Sequence, residues 1–382
     1  MSKRVVIAGG GTGGHLYPGI ALAKALKKYD NAMNITFVGT KQGIESKVLP
    51  EEGFPLKTIY SGGLLGKKGL NRLLSWCKLP VGIVQSLAFL IRKRPHLVVG
   101  VGGYVSGPLV LSAWMLRVPI LIQEQNSIPG VTNKWLGKIA DTIAVSFKES
   151  IQYFPANKTV ETGNLLREEL CVPRENTAAL PSGKFCILVL GGSQGAHSIN
   201  RGMVDAVDHL AQKKDSLHII HQTGERDCDW VKNSYREKGV SADVRSFMHD
   251  VADQYRKASL IVCRAGASTL AEITACGKMS VLIPFPHATH NHQEHNARVL
   301  ERAGAAELIL DKEVCGERLA ESIVRAMEQP ERREKMENSS YALGKRDATE
   351  KVLQLCLELL GIAGNPPKKN GTVNGESVLP CF

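Results

Sequence analysis

Residues 5–15 read VVIAGGGTGGH, and residues 187–197 read ILVLGGSQGAH. Aligned without gaps, Gly9, Gly10, Gly13 and His15 fall on Gly191, Gly192, Gly195 and His197. In both copies an apolar run meets glycines and then a helical pattern. Glycine lets the backbone approach an anion closely, and the helix that follows offers unpaired N–H groups to it. The repeat predicts two doubly wound domains in tandem, each with a parallel sheet wrapped by helices on both faces.

Short β-branched runs and helical patterns alternate outward from each copy. Arg4–Ala8, Ile35–Val38, Leu97–Val101, Ile120–Gln123 and Thr142–Val145 read as buried strands of the first half. Phe185–Leu190, Leu217–Gln222, Leu260–Cys263 and Val281–Pro284 do the same in the second. That rhythm makes the chain α/β with two Rossmann-like sheets. We place the first domain at 1–165 and the second at 166–345, with the polar, turn-rich stretch 161–181 around their junction. An amphipathic helix within 346–362 follows, and 363–382 reads as a disordered tail.

The chain has 382 residues, 43% of them apolar and 22% charged, which suits a globular enzyme and excludes wholesale disorder. Its net charge of +11 is local. From Gly53 through Gln123 there is no Asp or Glu, yet nine Lys and Arg occur, leaving 39 basic and 37 acidic residues elsewhere. Within 62–95 those cations interleave with Leu64, Leu65, Leu70, Leu73, Leu74 and Trp76, a composition suited to anionic lipid headgroups. A core helix with solvated lysines is the plainer reading. Nucleic acid would want stacking aromatics there, and only Trp76 and Phe89 are present. The nine Cys contain no CxxC pair and argue for a reducing compartment rather than a disulfide framework. The uncharged stretch Leu97–Leu116 is broken by glycines and Pro108, so it reads as strand, loop and helix rather than a span.

Three glycine loops end parallel strands: Gly9–Gly14, GVGGYVSGP (100–108) and GGSQGA (191–196). Together they point to a phosphate ester bound in a crevice between the domains. Ser193 adds a hydroxyl beside its loop. The first loop satisfies G-x-G-x-x-G, but the second strand ends in Val38-Gly39-Thr40-Lys41 without the acidic residue a dinucleotide ribose wants. Lys41 leaves an NADP-dependent oxidoreductase as a competing reading.

His15 opens a helix, where the dipole favours a neutral imidazole able to accept a proton from a hydroxyl. A capping or packing histidine is its plainer role, and His197 holds the equivalent place. In CRAGASTLAE (263–272), Ala267, Ser268 and Thr269 offer donors at a helix start, and Glu272 is placed to accept both hydroxyls of a ribose. Arg264 suits a phosphate or an acidic neighbour. In HATHNHQEHNA (287–297), four histidines at mixed spacings complete no metal pattern. Gln293 and Asn296 read better as partners of sugar hydroxyls.

GGGTGGHLYPGIALA (9–23), GVGGYVSGP (100–108), QEQNSIPGVTNK (123–134), ETGNLLR (161–167), GGSQGA (191–196), CRAGASTLAEI (263–273) and HNHQEHNA (290–297) occur in the order of one family. The chain resembles the MurG family, peripheral-membrane N-acetylglucosaminyltransferases of bacterial peptidoglycan synthesis. The resemblance implies the GT-B architecture, with a C-terminal helix crossing back to the first domain. It implies inverting transfer of N-acetylglucosamine from UDP-GlcNAc to the muramyl C4 hydroxyl of lipid I, giving lipid II. Neither metal nor cofactor is implied. Donor contacts carried over by the resemblance are Thr12, Gly13, Gly14, Asn126, Arg167, Ser193, the backbone around Met248, Ala267, Ser268, Thr269, Leu270, Ala271, Glu272 and Gln293. His15 is the candidate base. The acceptor's diphosphate is expected at the glycine loops of the first domain, beside an anionic membrane on the cytoplasmic face. Other cell-wall synthesis proteins are further expected partners, and nucleic acid is not. Two residues depart from the family pattern: Leu165 stands where Pro is usual, and His292 where Gln is. Another GT-B transferase with a different lipid or aglycone acceptor, and a basic lipid- or RNA-binding module without catalysis, complete the alternatives.

Overall fold

The computed structural model describes residues 2–61, 70–171 and 183–362, and only the backbone over 70–78. The first sheet grows from β1 (Arg4–Ala8), α1 (Gly13–Tyr29), β2 (Asn34–Gly39), α2 (Glu45–Glu51), β3 (Leu56–Thr58) and α3 (Leu70–Lys93). It continues through β4 (Leu97–Gly100), α4 (Ser106–Met115), β5 (Ile120–Glu124), α5 (Val131–Leu136), β6 (Thr142–Val145) and β7 (Thr159–Glu161). Its strand order is β3-β2-β1-β4-β5-β6-β7, every pair parallel.

The second sheet repeats the plan with β8 (Phe185–Leu190), α6 (His197–His209), β9 (Leu217–Gln222), α7 (Cys228–Glu237), β10 (Ala242–Arg245), α8 (Val251–Lys257) and β11 (Leu260–Cys263). Then come α9 (Ala267–Cys276), β12 (Ser280–Leu282), α10 (His292–Arg302), β13 (Ala306–Leu308), α11 (Gly316–Glu328), α12 (Pro330–Leu343) and α13 (Ala348–Leu359). Its order is β10-β9-β8-β11-β12-β13, again all parallel. Strand order reverses at β1/β4 and at β8/β11, and an open α/β sheet binds ligands outside the carboxyl ends of such neighbours. The glycine loops occupy those ends.

Strands β3, β7, β10 and β13 were not expected from the sequence; they are the outer strands of the two sheets. Leu97–Leu116 resolves into β4, a loop and α4, as its glycines required. Among the described residues no helix is long and apolar enough to cross a membrane. Residues 62–69 of the basic segment, 172–182 near the junction and the 363–382 tail lie outside the described residues, as do the side chains of 70–78.

Helix α13 packs on α1: Val352, Cys356 and Leu357 are buried in one core with Leu16, Leu22 and Leu26. Thr349 Oγ1 accepts the Leu166 N–H and donates to the Leu166 carbonyl, both at 3.0 Å. Lys3 Nζ donates to the Leu360 carbonyl at 2.6 Å. The last helix therefore completes the core of the first domain and staples the outgoing crossover.

Candidate active site

The first loop is shaped around a carboxylate. Gly11 adopts φ +84°, open to glycine at little cost, and donates its N–H to Glu45 Oε2 at 2.8 Å. Thr12 then turns extended as the N-cap of α1, and its Oγ1 lies 3.1 Å from His15 Nδ1. The His15 ring rests against Gly102, where any Cβ would collide with it. Gly102 and Gly103 both have positive φ, and a Cβ on Gly103 would stand 2.7 Å from the Gly10 carbonyl oxygen. The missing side chains of Gly9, Gly102 and Gly103 thus let the two loops approach this closely. Burial, and after it the neighbouring His292, pushes His15 from 6.5 down to about 4. The imidazole is neutral at physiological pH, the state a proton acceptor needs.

The second domain reaches this loop through α9. Ser268 Oγ donates to the Gly14 carbonyl at 3.0 Å and accepts from Asn164 Nδ2 at 3.3 Å. One turn on, Glu272 takes Arg167 Nη2 at 2.9 Å on one oxygen and the Tyr255 hydroxyl at 3.0 Å on the other. Arg167 in turn covers the Tyr17 ring at 5.4 Å, while its Nε is buried without a partner. Glu272 is therefore a held carboxylate whose oxygens, with two lone pairs each, keep room to accept from a further hydroxyl. Gly266 caps α9, whose first N–H groups at Ala267, Ser268 and Thr269 lie beyond the reach of helical pairing; Leu270 is buried beneath them and Ala271 is half-buried.

In the third loop Gly192 and Gly195 have positive φ, and Ser193 is exposed at the start of the path into α6. Gln222 binds this loop to the next: Nε2 donates to the Gly192 carbonyl at 3.0 Å, and Oε1 accepts the Met248 N–H at 2.9 Å. The Met248 amide is thus committed within the protein. His197 is held by Asp227 at 2.9 Å, and Asn200 donates to the same oxygen at 2.8 Å. Burial alone would raise Asp227, but Asn200 and His197 hold its carboxyl below the ordinary value. Of the two roles open to Arg264, the structure selects the acidic neighbour. It pairs with Asp311 at 2.5 Å and donates to Ser198 at 3.0 Å.

Asn126 is ordered from both sides. Buried Glu124 accepts its N–H at 2.9 Å and its Nδ2 at 3.1 Å, together with Asn133 and Gly130. Burial raises the Glu124 carboxyl above its ordinary value against those four hydrogen bonds. Asn126 Oδ1 accepts Asn296 Nδ2 at 3.2 Å. Here the expectation for Asn296 is corrected: it is wholly buried and joins the domains rather than meeting a sugar. Gln293 stays at the rim, with Oε1 accepting the Phe285 N–H at 2.9 Å. His292 is tied by Nδ1 to the Thr289 carbonyl at 2.7 Å, and His290 and Asn291 bend through positive φ beside it. Among the described residues no three His, Cys, Asp or Glu side chains gather as a metal-holding group.

Sequence reasoning missed Glu45, Glu124 and Asp227, each a buried or half-buried acid facing backbone or amide donors. The GTKQGIE run (39–45) held a signal for Glu45, since its glycines leave room around one carboxylate. Lys41, the basis of the NADP reading, is exposed.

Residues 5–145 match the glycosyltransferase family 28 N-terminal domain, and 186–352 match the family 28 C-terminal domain. The chain is 45% identical over 378 residues to the UDP-N-acetylglucosamine–N-acetylmuramyl-(pentapeptide) pyrophosphoryl-undecaprenol N-acetylglucosamine transferase of Myxococcus xanthus, covering 99% of this chain and 98% of that protein. The protein of the same name from Geobacter sulfurreducens is 45% identical over 352 residues, covering 92% and 97%. The crystal structure of Acinetobacter baumannii MurG superposes with a TM-score of 0.73 at 29% identity, covering 93% of this chain and 99% of that one. A UDP-GlcNAc 2-epimerase from Neisseria meningitidis shares the fold at a TM-score of 0.66 and 14% identity, covering 94% and 100%.

Proposed function

The chain belongs to glycosyltransferase family 28, among its MurG members, and from that membership we propose how its cleft transfers a sugar. It is a UDP-GlcNAc-dependent N-acetylglucosaminyltransferase that glycosylates lipid I to lipid II in peptidoglycan synthesis. The observation that carries the reading is the closure of α9 onto the first loop. Ser268 on Gly14 brings Glu272, Arg167, Thr12 and His15 into one cleft.

The donor lies along the second domain. Glu272 receives the ribose hydroxyls, and the backbone around Met248 borders the base. The α6 start with Ser193 and the α9 start at Ala267–Thr269 face the diphosphate. Charge growing on the β-phosphate as UDP leaves is met there by N–H dipoles that need no reorganisation. Thr12, Gly13, Gly14, Asn126 and Gln293 close over the sugar from the cleft walls. The acceptor hydroxyl attacks the anomeric carbon from the opposite face, which inverts the configuration. Neutral His15, with Thr12 on Nδ1, takes its proton.

The acceptor side also suits a lipid surface. On α3, Val81, Val84 and Ile91 lie on one exposed face, with Arg92 and Lys93 in the last turn. α4 packs on α3 and ends in exposed Trp114 and Met115; α5 packs on α4 and carries exposed Trp135, with Lys138 Nζ 4.4 Å from its ring. Exposed apolar groups rimmed by cations favour peripheral attachment to anionic lipid, on the cytoplasmic face where both substrates of such an enzyme occur.

The test is UDP release from UDP-GlcNAc with and without a short-chain lipid I analogue, in detergent containing EDTA. Acceptor-dependent release is expected. Donor binding without acceptor-dependent release, with or without added magnesium, would overturn the acceptor assignment.

A further inference from the structure

Glu45 is wholly buried, yet among the described residues no cation pairs with it. Its partners are the Gly11 N–H at 2.8 Å, the Thr40 N–H at 2.8 Å and the Thr40 hydroxyl at 2.9 Å. A Cβ at Gly10, Gly39 or Gly43 would collide with this side chain in each case. Glycines from two segments, Gly10 of the first loop and Gly39 and Gly43 of the run after β2, therefore leave a socket for a single carboxylate. An ionised carboxyl only accepts, and all three of its partners donate. Burying such a group is costly unless it is fully hydrogen-bonded, so its place under the loop is closely specified.

The chain of contact runs from Glu45 to Gly11, and along the backbone to Thr12 and His15. Gly11 is the residue with φ +84°, and Thr12 is the extended N-cap that meets His15. The second half places its carboxylate differently: Asp227, after β9, meets the His197 ring and the Asn200 amide rather than a backbone N–H of its glycine loop. In the first half the acid occupies a loop N–H; in the second it holds side chains of α6. In dinucleotide folds the acid after the second strand faces the ribose; here it turns beneath the loop and occupies a backbone donor.

We propose that Glu45 is a positioning residue for the acceptor half of the reaction: as the built-in anion of the first glycine loop, it fixes through Gly11 the register that presents Thr12 and His15, and denies the Gly11 N–H to a phosphate. The proposal rests on the transferase reading above. The acceptor hydroxyl is consequently served by His15 at this loop. Its diphosphate is left to the loop at 100–108, and the diphosphate of the sugar nucleotide binds only in the second half.

Glu45→Gln keeps the volume but points an amide N–H at a backbone donor. Gly43→Ala lies outside the loop and pushes on the same carboxylate. In both variants, kcat/KM for the short-chain lipid I analogue is expected to fall at least tenfold. The Kd for UDP-GlcNAc stays within twofold of wild type at one site per chain. Leu26→Ala, in the last turn of α1, supplies a destabilised control whose acceptor KM stays within twofold. The proposal is overturned if both variants keep acceptor kcat/KM within threefold of wild type. It is also overturned if donor affinity falls in step with it, or if Leu26→Ala reproduces the acceptor defect at a matched Tm. A wild-type chain that binds donor but never turns over would remove the transferase reading itself; wild-type turnover with normal Glu45→Gln kinetics removes only this one.

Discussion

Asn296 of the second domain accepts two hydrogen bonds from one residue of the first: the Ser127 N–H at 2.9 Å and its hydroxyl at 2.8 Å converge on Oδ1. Its Nδ2 donates to Asn126 in the same domain as Ser127. One buried amide thus joins the α10 side of the cleft to the segment carrying Asn126, and it is broken whenever the domains part there.

Asn296→Ala leaves two donors on Ser127 and one acceptor on Asn126 without partners. Each unsatisfied buried group costs about 1–3 kcal/mol where water cannot replace the partner. The interface opens instead of bearing the full cost. The expected outcome is a Tm lower by several degrees, a larger radius of gyration in small-angle scattering, and a raised KM for UDP-GlcNAc. Unchanged scattering with an unchanged KM would mean that the other contacts, Ser268 on Gly14 above all, hold the cleft alone.

Arg167 and Glu272 form an ion pair on the second-domain side of the same cleft, at 2.9 Å and with both side chains mostly covered, and Arg167 lies over the Tyr17 ring of the first domain. If Glu272 holds the ribose and Arg167 holds Glu272, the two act on donor affinity together. A double-mutant cycle of Arg167→Ala and Glu272→Gln, read in UDP-GlcNAc Kd, is expected to give a coupling of about 1–3 kcal/mol. Each single change weakens donor binding roughly tenfold or more. Additive effects would show that Glu272 binds the donor without its arginine.

The pH dependence follows from His15. Its folded pKa of about 4 lies below the ordinary 6.5, so the unfolded chain binds the extra proton first. Stability from this group is therefore intact above about 6.5 and is lost as pH falls from there toward 4. Buried His221, pushed down to about 3, works in the same direction. For catalysis, the neutral ring persists over the whole neutral range. Acceptor kcat/KM should stay flat from pH 8 to about 5 and decline below that. His15→Gln at pH 7.5 should lower kcat by about 10²–10⁴-fold with UDP-GlcNAc affinity retained. An acid limb near 6.5 in the wild type would assign the proton transfer to another group.

The interior of both sheets was legible because β1, β4, β5, β8 and β11 are covered on both faces and read as continuous apolar runs. The four strands that escaped, β3, β7, β10 and β13, border the sheets and are mostly only half-buried. Leu56–Thr58 or Ala242–Arg245 has too little apolar content to stand out from loop. Glycine loops were legible for a similar reason, since backbone approach leaves a composition. The polar supports were not: Glu45, Glu124 and Asn296 look like surface residues until three-dimensional neighbours supply their donors. Asn296 sat three residues from Gln293, and that helical spacing joined two side chains whose surroundings differ completely. One lies at the rim and the other inside the domain interface.

The exposed apolar face of α3 makes the last prediction. Val84 is 65% exposed and sits between Val81 and Ile91 on a helix that ends in Arg92 and Lys93. An apolar face of this kind gains by entering the headgroup region, and each nearby cation adds about 1 kcal/mol on anionic lipid. Val84→Asp removes apolar area from an exposed helix face and puts an anion toward the lipid phosphates. Co-sedimentation with phosphatidylglycerol vesicles is expected to fall several-fold for this variant, and wild-type binding to weaken at high salt. Turnover of a short-chain acceptor in detergent should stay within twofold of wild type, because that substrate needs no bilayer. Vesicle binding unchanged by Val84→Asp would move the attachment surface away from α3. Loss of detergent turnover would instead tie α3 to the acceptor site itself.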